Sequence, residues 1–204
     1  MPARVRLTVI GFGMLFLAAL TGWLVAGAPG ARPASNMDVT NGFAGSIRPE
    51  IPVRQLSGVH DEHGAPLSLP KGDVTVVTFL YTSCQDTCPT TAQQIRGALD
   101  RLEQPPPVIA LSVDPLGDSQ RSARAFLAEQ GLLGRAHFAL GPPVALQRQW
   151  DYYGIAPQTA ESDHTAQVIL LDRTGRQRIG FPADKLTPEA LAHDIQALRA
   201  ERGA

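Results

Sequence analysis

The chain has 204 residues, 18 basic against 19 acidic side chains, and 44% hydrophobic residues. That length excludes a disulfide-stapled miniprotein and leaves room for one ordinary domain once a terminal segment is set aside. A net charge of −1 supplies no basic face for phosphates, which excludes a nucleic-acid binder, and the apolar content excludes a disordered chain.

From Leu7 to Ala28 no residue is ionisable, and a run of that length spans a hydrocarbon core of ~30 Å as a helix. Arg4 and Arg6 precede it, which orients the N-terminus to the cytoplasm and the rest of the chain outward. Ala26-Gly27-Ala28 resembles a signal-peptide cleavage site. The apolar run exceeds a usual signal core, however, and Pro29 follows the site directly, so an uncleaved anchor over 1–28 is the favoured reading. The Pro/Gly/Ala-rich stretch within 29–42 reads as a spacer. The folded domain is expected over 43–204, outside the cytoplasm, where thiols can be oxidised.

Leu56–Val59 and Leu67–Leu69 flank Asp61-Glu62-His63-Gly64 and predict a hairpin. Val74–Leu80 is a β-branched apolar run suited to a strand buried on both faces. Ala92, Ile95, Leu99 and Leu102 recur at helical spacing, and Pro105-Pro106-Pro107 stops that helix. Val108–Val113 predicts a second buried strand. Ser119 is placed to cap a helix that Gly131 closes, with Phe126 and Leu127 inward. Phe138–Leu140 is a short strand candidate, and Pro142-Pro143 opens a helix carrying Trp150, Tyr152 and Tyr153 toward the core, ended by Gly154. Val168–Leu171 and Arg178–Phe181 flank the turn Asp172-Arg173-Thr174-Gly175, and Thr187-Pro188 caps a final helix. Strands alternating with helices predict an α/β fold: a thioredoxin-like mixed sheet flanked by helices, preceded by one N-terminal transmembrane helix.

The chemistry is concentrated in Ser83-Cys84-Gln85-Asp86-Thr87-Cys88-Pro89. Pro89 fits only the first turn of a helix, so the helix starts near Asp86 or Thr87, with Asp86 the expected cap. Both sulfurs then crowd a helix N-terminus, which favours thiolate. Helical positions four apart share a face with Cβ atoms ~5–6 Å apart, a spacing that admits a disulfide or two sulfurs on one soft metal such as copper(I) or zinc. A structural disulfide closing so short a loop would add little stability.

A metal bound by two sulfurs needs a further donor, and histidine is the usual one. Of five histidines, His164 sits in Asp163-His164-Thr165, in the loop entering the strand Ala166–Leu171; in a thioredoxin-like sheet that loop passes beside the cysteines. His60 and His63 fall in a predicted turn and read as part of a hydrated loop. His137 and His193 read as surface residues without companions.

Taken together, Tyr81-Thr82-x-Cys84-x-Asp86-x-Cys88-Pro89, Leu111-Ser112-Val113-Asp114-Pro115 with Asp118 following, and Asp163-His164-Thr165 before Leu171-Asp172-x-x-Gly175 resemble the Sco (SenC-type) family of copper chaperones for cytochrome c oxidase. The resemblance spans about Gly58 to Leu198. It implies that Cys84, Cys88 and His164 bind one copper ion, as copper(I) or copper(II), with Asp86 and Asp163 shaping the loop and orienting His164. It further implies delivery of copper to the copper-bearing subunit of the oxidase, a place in the cytoplasmic membrane with the domain on the periplasmic side, and contact with a thiol oxidoreductase or copper carrier. Gln85 and Gln120 stand where the family commonly has proline, and Gln85 should loosen the loop between the thiols.

The competing reading is an exported thiol–disulfide oxidoreductase, in which Cys84 attacks and Cys88 resolves. The C-x-x-x-C spacing, and His164 where thioredoxins present a proline, weigh toward the metallochaperone. Both readings draw on the same sulfurs.

Overall fold

The computed structural model describes residues 41–156 and 166–201. Its centre is strand β2, Thr75–Leu80, in which all six residues are buried. The β-branched run places apolar groups on both faces, and only a strand with neighbours on both sides and layers above and below satisfies that pattern. β2 pairs in parallel with β3 (Val108–Ser112) and antiparallel with β5 (Gln167–Leu171). With β1 (Ser46–Ile47), β4 (His137–Ala139) and β6 (Gln177–Pro182), the sheet has the order β1-β6-β5-β2-β3-β4.

Helix α1, Thr87–Leu99, connects β2 to β3; α2, Gln120–Glu129, leads to β4; α3, Pro143–Tyr153, leads to β5; and α4, Pro188–Ala200, closes the chain. One sheet face presents Val77, Phe79, Ile109, Leu111, Ile169 and Leu171 to Leu146, Trp150 and Tyr153 of α3. Strand alternation leaves the other face to α1 and α4. Those two helices approach so closely that a Cβ at Gly97 would stand 3.0 Å from the Pro188 ring.

The predicted caps at Ser119 and Thr187 form, the former as a reciprocal box with Ser122. Gly154 ends α3 in the left-handed region at φ 69°. The β5–β6 hairpin turns at Gly175, φ 88°.

The expected hairpin around residues 56–69 is reduced to a reversal at Asp61–Gly64 with a single bridge, His60 to Pro66. That bridge is closed by the Asp61 amide on the Ala65 carbonyl at 2.8 Å and the Leu67 amide on the Val59 carbonyl at 3.1 Å, and beyond it Gly58 leaves the extended region at φ 74°. The segment attaches instead to the sheet edge just after β4, where the amides and carbonyls of His60 and Leu140 exchange two hydrogen bonds of 2.8 Å. Among the described residues no helix is long and apolar enough to cross a membrane; the apolar run 7–28 lies outside them.

Strand β1 was not foreseen. Its two residues are exposed and form no apolar run. It is held by Asp194, a carboxylate with 0% exposure on α4 that accepts the amides of Ala44 and Gly45, each at 2.8 Å. Removing a buried charged acceptor strands both donors, so Asp194→Ala should destabilise the domain by ~2–3 kcal/mol. The check is urea unfolding together with hydrogen exchange: exchange at residues 44–47 should accelerate first while the β2–β3 ladder stays protected.

Candidate copper and redox site

β2 ends at Leu80, and the chain turns through Tyr81–Gln85 into α1. Asp86 occupies the N-cap position but its side chain makes no capping hydrogen bond; it is exposed, and its carbonyl accepts from the amide and hydroxyl of Thr90. The cap acceptor is instead the sulfur of Cys84, which takes the Cys88 amide at 3.3 Å. At the next position Pro89 has no amide to satisfy. The C-x-x-x-C-P spacing therefore closes the helix N-terminus with sulfur.

Both cysteines are reduced and buried, but unequally: Cys84 keeps 8% exposure and Cys88 none. Burial opposes ionisation of Cys84. It is outweighed by hydrogen bonds from the Cys88 thiol, the amides of Asp86 and Cys88, and Tyr81, which hold the Cys84 thiol below its ordinary range. Burial, the hydrogen bond and charge of Cys84, and the Asp118 carboxylate push the Cys88 thiol well above it; the Tyr81 amide only partly offsets them.

Asp118 holds the neighbouring loops together. Its Oδ1 accepts from the Thr82 amide at 2.8 Å and the Thr82 hydroxyl at 2.7 Å, and its Oδ2 accepts from the Ser112 hydroxyl at 2.6 Å. Burial raises its pKa, against those hydrogen bonds and with a further push from Asp114. The Ser112 carbonyl in turn accepts Trp150 Nε1 at 2.9 Å. One carboxylate thus ties the loop after β2 to the loop after β3. The residues Ser112, Asp114 and Asp118 belong to a motif visible in the sequence, but that motif carries no sign that Asp118 reaches back to Thr82.

His164 and Asp163 lie outside the described residues. What is described is the start of β5: Val168 pairs with Thr78, and the Thr78 hydroxyl donates to the Gln167 carbonyl at 3.2 Å. Because β5 runs antiparallel to β2, its N-terminal end lies beside the end of β2 that leads to Cys84. Gln85 is exposed, with its amide on the Ser83 carbonyl at 3.2 Å.

A family model described as SCO1/SenC matches residues 60–200. The chain belongs to the SCO1/SenC family. Among solved structures, apo Sco1 from Thermus thermophilus is 25% identical, with a TM-score of 0.66 over 76% of this chain and 96% of that one. Copper-bound ScoI from Bradyrhizobium japonicum is 25% identical, with a TM-score of 0.55 over 76% and 98%. BsSco, described as having a disulfide switch and as a member of the Sco family of cytochrome c oxidase assembly proteins, shares the fold at 17% identity, with a TM-score of 0.63 over 77% and 99%. No curated protein sequence gives a match. The mixed sheet of this SCO1/SenC domain is the thioredoxin-like arrangement expected from its element order.

The unequal burial of the two thiols has a direct readout. In metal-stripped, reduced protein, a brief pulse of iodoacetamide should alkylate Cys84 well before Cys88, as peptide mass spectrometry would show. The pH at which Cys84 reaches half its maximal rate should fall below that of a free thiol, because its thiolate is the favoured form. Equal labelling of both residues would contradict the geometry.

Proposed function

We propose that this protein is a membrane-anchored copper carrier for cytochrome c oxidase assembly, holding one copper ion between Cys84, Cys88 and His164 and passing it to the copper-bearing subunit. The observation that carries the reading is the pair of reduced sulfurs at the α1 N-terminus, Cys84 already accepting an amide there. Two thiolates make a soft site that selects copper(I), and an imidazole extends the donor set toward copper(II). The family match and the copper-bound relative at 25% identity support the cargo. The apolar run 7–28 supports the anchor, with the domain on the periplasmic side of the cytoplasmic membrane. Copper is cargo here, so the site must release as well as bind, which ligand exchange beginning at Cys84, the more accessible of the two sulfurs, permits. Cys84, the more accessible sulfur, is the ligand that would meet the incoming donor, and Asp163, the sequence neighbour of His164, would orient it.

Reduced full-length protein should bind one equivalent of copper(I) in competition with a chelator. Cys84→Ser or Cys88→Ser should abolish that tight binding. His164→Ala should weaken copper(II) binding by at least about tenfold, the lower range for perturbing a metal site, while leaving the circular dichroism spectrum unchanged. Undiminished copper(II) binding in His164→Ala rejects that ligand.

The unequal exposure of the sulfurs favours one second reading, a thiol–disulfide reductase. Cys84 would attack a partner disulfide and Cys88 would displace the mixed disulfide, releasing a partner dithiol and leaving Cys84–Cys88 oxidised. An insulin-reduction assay with a regenerating reductant separates the two roles: sustained turnover supports the reductase, and its absence alongside stoichiometric copper binding supports the carrier.

A further inference from the structure

The turn at Asp61–Gly64 is not the hydrated loop expected from its sequence. Asp61 is buried, and Glu62 keeps only 2% exposure. The turn is sealed from within, because Asp61 Oδ1 accepts the amides of His63 and Ala65, each at 2.9 Å. Asp61 Oδ2 takes no part in those bonds and lies on the His137 side. Glu62 Oε2 accepts the Phe138 amide at 2.9 Å across the edge of the sheet.

His137, at the start of β4, completes the group. It is solvent-exposed, as expected, but not without companions: its Nδ1 stands 3.6 Å from Glu62 Oε2 and 3.9 Å from Asp61 Oδ2. On the other side of the same carboxylate, His63 Nε2 lies 3.2 Å from Glu62 Oε1. Two imidazoles from segments far apart in the chain therefore converge on one buried carboxylate. Among the described residues no lysine or arginine pairs with either acid; Arg124 donates only to the Glu62 carbonyl, at 2.6 Å. Neither carboxylate therefore has a guanidinium or ammonium partner that a metal ion would have to displace.

We propose that Asp61, Glu62 and His137 form a second metal site, for a divalent transition ion of zinc or copper(II) type, distinct from the cysteine site. Their ligand atoms lie within 4.8 Å of one another. The edge of a tetrahedral zinc site with bonds of ~2.0–2.1 Å is roughly 3.3 Å, so the imidazole must close on the two carboxylates by about 0.3–0.6 Å, and no pair of donors by more than about 1.5 Å, to bring all three onto one ion. Water fills the fourth position on the exposed side. His63 is a positioning residue, its Nε2 standing 3.2 Å from the far oxygen of Glu62. The donor set is imidazole and carboxylate without sulfur, which suits zinc or copper(II) and disfavours copper(I).

The site is separate from the cysteines in the sheet. His137 pairs with Ile109 on β3, which pairs with Val77 on β2, three residues before the end of that strand and two strands away from it. It does not depend on the copper-carrier reading.

The experiment uses full-length Cys84→Ser/Cys88→Ser/His164→Ala protein, in detergent, freed of metal by chelation and titrated with zinc chloride by calorimetry. One saturable equivalent is expected, accompanied by shifts of the His137 and His63 imidazole resonances in NMR. Adding His137→Ala should weaken binding by at least about tenfold; His63→Ala should weaken it less. His137 is a surface residue, so that variant retains the fold, which circular dichroism checks. Absence of saturable zinc binding, or binding unaffected by His137→Ala, overturns the proposal and leaves an ion-pair cluster.

Discussion

The sulfur of Cys84 stands where a helix would ordinarily place an oxygen cap, and the geometry of the cysteine site follows from that substitution. A first-turn amide must find an acceptor. Asp86 is the obvious one by composition, yet its side chain makes no capping bond and the Cys88 amide goes to sulfur. One hydrogen bond thereby fixes the separation of the two cysteines along the chain, starts α1, and stabilises negative charge on the more accessible sulfur. Pro89 makes the arrangement economical, since the next position has no amide that would compete for the same acceptor.

That cap needs a fixed floor, which the Asp118 carboxylate provides by joining Thr82 to Ser112. The loops after β2 and β3 would otherwise move independently, as they leave two parallel strands in the same direction. Ligand sites in open α/β sheets gather at such carboxyl ends of strands. The cysteine site follows that rule; the acidic and histidine cluster does not, because it is assembled from a turn laid along an edge strand. The chemical difference follows from the position: sulfur and amides in a buried junction on one side, oxygen and imidazole at a solvent-facing rim on the other.

What could be read from the chain alone tracks how local each interaction is. β2 and β3 were legible because burial on both faces demands uninterrupted apolar runs, and the Ser119, Thr187 and Gly154 signals act within one helical turn. The cysteine pair was legible because its spacing is itself the geometry. Strand β1 was not, since it rests on Asp194 roughly 150 residues away. The burial of Glu62 was not either: a D-E-H-G turn reads as hydrated until Phe138, 76 residues on, supplies an amide to its carboxylate. The hairpin is shortened to one bridge where Gly58, two residues before His60, leaves the extended region at φ 74°.

The two thiols face a choice between fates that use the same lone pairs. A metal held by both sulfurs prevents their oxidation, and a disulfide between them removes both ligands. The fold does not favour one fate by strain; it holds Cys84 in an ionisable, partly accessible position and Cys88 in a buried one. In that arrangement the accessible sulfur is the first to meet either an incoming metal or an incoming disulfide, and the buried sulfur completes whichever reaction has begun. The state of the pair is then set by what arrives at Cys84, so copper loading requires that the thiols be kept reduced beforehand. For a domain on the periplasmic side, as proposed, the cytoplasm could not supply that, and the carrier role would then require a dedicated reductant of the pair.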